Sequence, residues 1–114
     1  LAITSDQIAK VVTNVFAKAK EHSAKVNHND WWPCGFASLR VSGRSPIVTA
    51  LKKNPSTSLY CRPAYGGGYS ISVRYPSQDA YECQNMNFAI KVHEILLDEL
   101  KPLGVEGYVD SRID

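Results

Sequence analysis

The stretch Tyr65-Gly66-Gly67-Gly68-Tyr69-Ser70-Ile71-Ser72-Val73-Arg74-Tyr75 constrains the fold more than any other. Three consecutive glycines supply the positive φ angles of a tight turn, which other residues resist. The residues that follow alternate. Tyr69, Ile71, Val73 and Tyr75 share one face of an extended chain, while Ser70, Ser72 and Arg74 share the other. Leu59–Pro63 stands on the far side of the glycines as a partner, so 59–63 and 69–75 predict a hairpin. A hairpin makes at least part of the sheet antiparallel, and its apolar face must be covered.

Two segments supply the cover. Ile8, Val11, Val12, Val15, Phe16 and Ala19 recur at helical spacing and predict a helix over 5–24. Ser5 is its expected capping hydroxyl, and Asp6 suits the positive end of its dipole. Pro76-Ser77-Gln78-Asp79 opens the longest predicted helix, 78–101, ended by Pro102 and Gly104. Its expected stripe is Cys83, Met86, Ile90, Leu97 and Leu100, widened by Phe88 and Ala89.

Phe36–Val41 predicts a strand with Ala37, Leu39 and Val41 opposite Ser38 and Arg40. Ser45-Pro46 opens a short helix that runs to Lys53 and stops at Asn54-Pro55. Val105–Val109 predicts the last strand, after which Ser111-Arg112-Ile113-Asp114 closes the chain. Residues 25–34 read as a loop, because Asn and Asp compete with helical backbone bonds and Pro33 blocks continuation. The order α-β-α-β-β-α-β predicts an α+β fold. It is a two-layer sandwich with a mainly antiparallel sheet of about four strands under two long helices. With no repeat, low-complexity run or linker, residues 1–114 read as one domain.

Bulk properties exclude several classes. Hydrophobic residues make up 44% and charged residues 21%, enough for a core without disulfides or a structural metal. The formal charge of +2 is too small to argue for nucleic acid or an anionic membrane. No apolar run approaches the ~18 residues of a membrane span. Leu1–Lys10 lacks the pattern of a signal peptide. Cys34, Cys61 and Cys83 are odd in number and far apart, so free thiols and a cytoplasmic location are expected, with one disulfide pair as the alternative.

Three segments can carry chemistry. In His28-Asn29-Asp30-Trp31-Trp32-Pro33-Cys34-Gly35, the adjacent indoles fill a groove, cover a core edge or meet a partner. Cys34 as a nucleophile needs a neighbour that lowers its pKa, and nothing in the sequence places His22, His28 or His93 beside it. The gaps between His22, His28, Asp30 and Cys34 do not match zinc-ligand spacing. No catalytic residue, metal or cofactor is therefore expected.

In Ser42-Gly43-Arg44-Ser45-Pro46, a helix start and an arginine can hold an anion, although Ser45 can satisfy the same N–H groups itself. The hairpin mixes Tyr60, Arg62, Tyr65, Tyr69, Arg74 and Tyr75, a mixture able to stack on bases. Its likeness to an RNA-recognition strand fails at Gly67 and Ser72, which argues against nucleic acid.

Trp32-Pro33-Cys34-Gly35-Phe36-Ala37, Gly43-Arg44-Ser45-Pro46 and the closing Ser111-Arg112-Ile113-Asp114 together resemble a group of small uncharacterised bacteriophage and environmental proteins. The resemblance spans residues 31–114. It implies a phage-borne accessory protein acting inside a bacterial cell, and it implies no catalytic residues.

The expectation is a binding or interaction module. Its candidate site is Trp31, Trp32, Cys34, Arg44, Ser45 and Arg112, for a protein or a small anionic ligand. A small enzyme using Cys34 and a weak single-stranded nucleic-acid binder are the alternatives. No membrane partner is expected. The edges of a four-stranded sheet allow a homo-oligomer.

Overall fold

The computed structural model describes residues 2–25, 35–74 and 86–113. In chain order the elements are α1 (Ser5–Lys25), β1 (Gly35–Val41), α2 (Pro46–Lys53), β2 (Leu59–Pro63), β3 (Tyr69–Val73), α3 (Met86–Leu100), a 3₁₀ turn (Lys101–Leu103) and β4 (Gly107–Ile113). The architecture is α+β, with one antiparallel sheet ordered β2-β3-β1-β4. From β1 onward this is the split βαβ connectivity of ferredoxin-like topology, and α1 is added in front.

Thr4, rather than the expected Ser5, caps α1. The Gln7 backbone N–H donates to Thr4 Oγ1 at 3.2 Å, and the Thr4 N–H donates to Gln7 Oε1 at 2.9 Å. This reciprocal capping box satisfies two N–H groups that a helix start leaves free. Ile3 and Ile8 flank the box and are both buried in the core. The buried stripe of α1 is Ile8, Val11, Val15 and Ala19, as the spacing predicts, with Val12 and Phe16 packed at its margin.

The inner face of the sheet follows from the register. Cys61 lies opposite Ile71, Ile71 opposite Leu39, and Leu39 opposite Val109. Leu39 and Ile71, on the two central strands, are fully buried beneath the helices. The most deeply buried positions of α3 are Phe88, Val92, Leu96 and Leu100, spaced by four. The expected stripe is therefore rotated: Ile90 and Leu97 lie at the margin, Phe88 and Leu100 are shared by both readings, and Cys83 lies outside the described residues. The reason is that α3 packs against β1 and β4 on one side and α1 on another, so it needs apolar residues around most of its girth. A salt bridge of 3.0 Å from Lys18 to Glu99 ties α1 to α3, and it holds the Glu99 carboxyl below its ordinary pKa.

The last strand differs from its predicted bounds. Gly104 ends the 3₁₀ turn at φ +87, and the Val105 N–H returns to the Leu100 carbonyl at 3.4 Å. Val105 is thus buried by the helix terminus, and the strand begins two residues later. It runs through Ser111 and Arg112 to Ile113, pairing with all of β1.

His93 is buried in the middle of α3. Its Nδ1–H donates to the Ala89 carbonyl at 2.8 Å, so Nε2 is the acceptor for the Val73 N–H at 3.1 Å. The ring thereby satisfies a backbone donor at the end of β3. Burial pushes its pKa below 6.5, only partly opposed by the Ala89 bond. Between that lowered value and 6.5 the unfolded chain binds more protons than the folded one. Stability contributed by neutral His93 is thus complete above pH 6.5 and is lost as pH falls through the folded pKa. Urea midpoints at pH 7.5 and 5 should show this loss, and His93→Gln should flatten that part of the slope.

Candidate functional site

The two faces of the sheet have different chemistry because side chains alternate along each strand. The inner face is apolar. On the open face, β2 contributes Tyr60 and Arg62, β3 contributes Ser70 and Ser72, β1 contributes Ser38 and Arg40, and β4 contributes Tyr108 and Asp110. The centre carries small hydroxyls, and Ser70 Oγ donates to Ser38 Oγ at 3.2 Å. The margins carry large groups: Tyr60 is 41% exposed and Tyr108 61%.

Along the β2 margin the Tyr60 ring is flanked by two cations. The Arg74 guanidinium carbon stands 4.2 Å from its centroid and that of Arg62 5.9 Å. Arg74 is positioned by its backbone, whose N–H donates to the Ser58 carbonyl at 2.8 Å. Cation–π contacts of this exposed kind contribute about 0.5–1 kcal/mol, enough to orient flexible side chains.

Toward β4, Arg40 makes two bonds. Nη1 meets Asp110 Oδ2 at 3.1 Å, and Nη2 donates to the Tyr65 carbonyl at 2.9 Å. The second bond fastens the Gly66-Gly67-Gly68 turn to the sheet and leaves the Tyr65 side chain fully exposed. Beside it lies a shallow concavity of about 240 Å³ lined by Arg40, Val41, Ser42, Gly67, Gly107 and Tyr108.

The basic residues are segregated. All five arginines lie on strands or in the turns beside them, at 40, 44, 62, 74 and 112. All eight lysines lie in helices or the 3₁₀ turn. Arginine stacks on rings and forks onto carboxylates or phosphates, whereas lysine acts as a solvated point charge. The sheet therefore holds the groups suited to planar, oriented recognition.

Trp31, Trp32 and Cys34 lie outside the described residues. Arg112 is opposite Phe36, at the start of β1, whereas Arg44 follows the other end of β1 at Val41. β1 and β4 are neighbours, yet their antiparallel register leaves the backbones of Phe36 and Val41 roughly 17 Å apart. Arg44 and Arg112 are not brought together.

Arg44 is exposed, and its backbone N–H donates to Ser42 Oγ at 3.2 Å. Ser45, whose hydroxyl is expected from sequence to satisfy the N–H groups at the start of α2, makes no side-chain cap. Its hydroxyl is buried with no hydrogen-bond partner among the described residues. Pro46 lacks an N–H and Val48 already donates to the Ser45 carbonyl, so this helix start presents few donors to an anion.

Tyr69 belongs to the inner side and packs against the core margin, with Lys52 Nζ 4.4 Å from its ring centroid. Cys61 is a free, half-buried thiol whose pKa is raised by burial, against the pull of Lys52. Such a thiol is a poor nucleophile. Sequence reasoning missed Tyr108 and Asp110 as surface groups. Their alternation with the half-buried Val109 is the signal that marks them.

Among the described residues no three His, Cys, Asp or Glu side chains approach one another closely enough to hold a metal. No described helix is long and apolar enough to cross a membrane. No family model, curated protein or solved structure matches the chain.

Proposed function

We propose that the protein is an accessory interaction module that binds an anionic partner on the open face of its sheet. The observation that carries this reading is the Arg62–Tyr60–Arg74 cluster, an exposed aromatic ring flanked by two arginines on a rigid strand pair. Such groups suit a segment bearing carboxylates. Serines stand at the centre of the face, where an RNA-recognition sheet carries its stacking rings, so an acidic peptide segment fits better than single-stranded nucleic acid. The resemblance to phage proteins supports an accessory role in a bacterial host. Arg112 and Arg44 fall at opposite ends of β1 in the backbone register and belong to separate contact patches, the second shared with Ser45.

Fluorescence anisotropy with a labelled polyglutamate peptide and a labelled single-stranded oligonucleotide tests the reading. The peptide should bind, weaken as salt rises, and lose roughly tenfold in affinity when Arg62 and Arg74 are both replaced by alanine. Arg44→Ala and Arg112→Ala should change little. Loss confined to Arg44→Ala or Arg112→Ala would move the site to those patches. Binding of the oligonucleotide alone would establish the nucleic-acid alternative, and no binding of either probe would refute the proposal.

A further inference from the structure

Among the described residues, nothing pairs with the outer edge of β4. The strand is seven residues long, and an edge of that length presents a row of unmatched backbone donors and acceptors. The opposite edge, β2, is shorter and ends in Pro63, which has no N–H to offer. The two edges are therefore not equivalent.

Residues 109–113 read Val-Asp-Ser-Arg-Ile. We propose that this segment pairs antiparallel with the same segment of a second copy, centred on Ser111, to form a two-fold dimer with a continuous eight-stranded sheet. In that register Val109 lies opposite Ile113, Asp110 opposite Arg112, and Ser111 opposite itself. Symmetry repeats the first two pairs on the other side of the axis.

Directly opposed residues share a face. Val109 and Ile113 occupy the same register face as Leu39, the partner of Val109, and that face lies under the helices. Asp110 and Arg112 occupy the open-face register. Each apolar position thus meets an apolar position, and each charge meets its opposite.

The two adjacent centres fail this test. A two-fold axis perpendicular to the sheet must pass midway between two copies of one residue, because opposed side chains share a face. Centring on Asp110 opposes two carboxylates, and centring on Arg112 opposes two guanidinium groups. Like charges directly opposed across strands destabilise pairing. Charge therefore favours Ser111 over both neighbours, and the Ser111 register is the one that opposes Asp110 to Arg112. The Asp110 side chain is half-exposed, so its bond to Arg40 leaves it accessible to a second cation.

The test uses the full chain. Analytical ultracentrifugation of the native protein should show a dimer. Asp110→Arg and Arg112→Asp, each alone, should weaken it at least tenfold, because each opposes like charges. Mixing the two variants should restore a heterodimer, since every Arg then meets an Asp. Ser111→Cys provides a readout that leaves the ion pairs intact. Mild oxidation should link residue 111 to residue 111 of a second chain, identified by peptide mapping against native protein treated in the same way. A monomeric native protein across the micromolar range, dimers that persist in both single variants, a mixture that stays monomeric, or absence of the 111–111 link would each overturn the proposal.

Discussion

Replacing Leu39 with alanine should lower stability by about 3 kcal/mol and the thermal midpoint by roughly 10–20 °C. Leu39 is fully buried on β1, a central strand, between Ile71 of β3 and Val109 of β4. The substitution removes three carbons from a site enclosed on both sides by sheet and from above by α3. A rigid sheet closes poorly over the resulting cavity, so the cavity cost adds to the lost transfer energy. Urea unfolding gives the value directly. Val12→Ala at the half-buried margin of α1 serves as the contrast and should cost clearly less. Equal losses at the two positions would mean that the core is not centred on the sheet.

The second large effect is expected at Gly68. Its φ is +71, where a side chain is disfavoured, and a Cβ there would stand 2.6 Å from the Val41 carbonyl oxygen. Gly66 has φ +88 with open space around it. Gly66→Ala therefore incurs only the backbone strain, about 1–2 kcal/mol. Gly68→Ala incurs the same strain and also forces the turn away from β1, adding about 1–3 kcal/mol. Matched urea denaturation curves check the order. Gly68→Ala should also loosen the Arg40 bond to the Tyr65 carbonyl, visible as faster amide exchange across residues 64–68. If Gly66→Ala proves the worse of the two, the turn does not lie against β1 in the way the geometry requires.

Local rules in the sequence define much of the fold. Ser45-Pro46 and Asn54-Pro55 delimit α2 because proline acts within one or two residues of itself. The three glycines place the hairpin for the same reason. Other features depend on distant neighbours. Hydrophobic spacing alone does not give the rotation of α3, since apolar residues surround it and only the positions of α1 and the sheet decide which are deepest. Ser111 and Arg112 read as a tail because an edge strand with one neighbour needs little apolar patterning.

The candidate site was legible as residue types and not as a place. Tyr60, Arg62 and Arg74 are conspicuous in the sequence, and their outward orientation follows from alternation once the hairpin is accepted. The pairing of Arg40 with Asp110 joins residues 70 positions apart and has no local signature. Arg44 and Arg112 illustrate the opposite error. Arg112 lies on β4 and Arg44 just past β1, strands that do pair, and only the antiparallel register shows that the two stand at different ends.

The partition of lysines to the helices and arginines to the sheet has a practical consequence. Reagents that acylate side-chain amines will modify the helical layer and leave the guanidinium groups untouched. Attachment to a sensor surface through those amines therefore turns the sheet toward the solution, with Tyr60, Arg62 and Arg74 presented intact. Guanidinium-directed reagents such as dicarbonyls will do the reverse, marking the sheet while the helices keep their charge. The protein thus carries two chemically addressable sides, each open to labelling or blocking without a mutation.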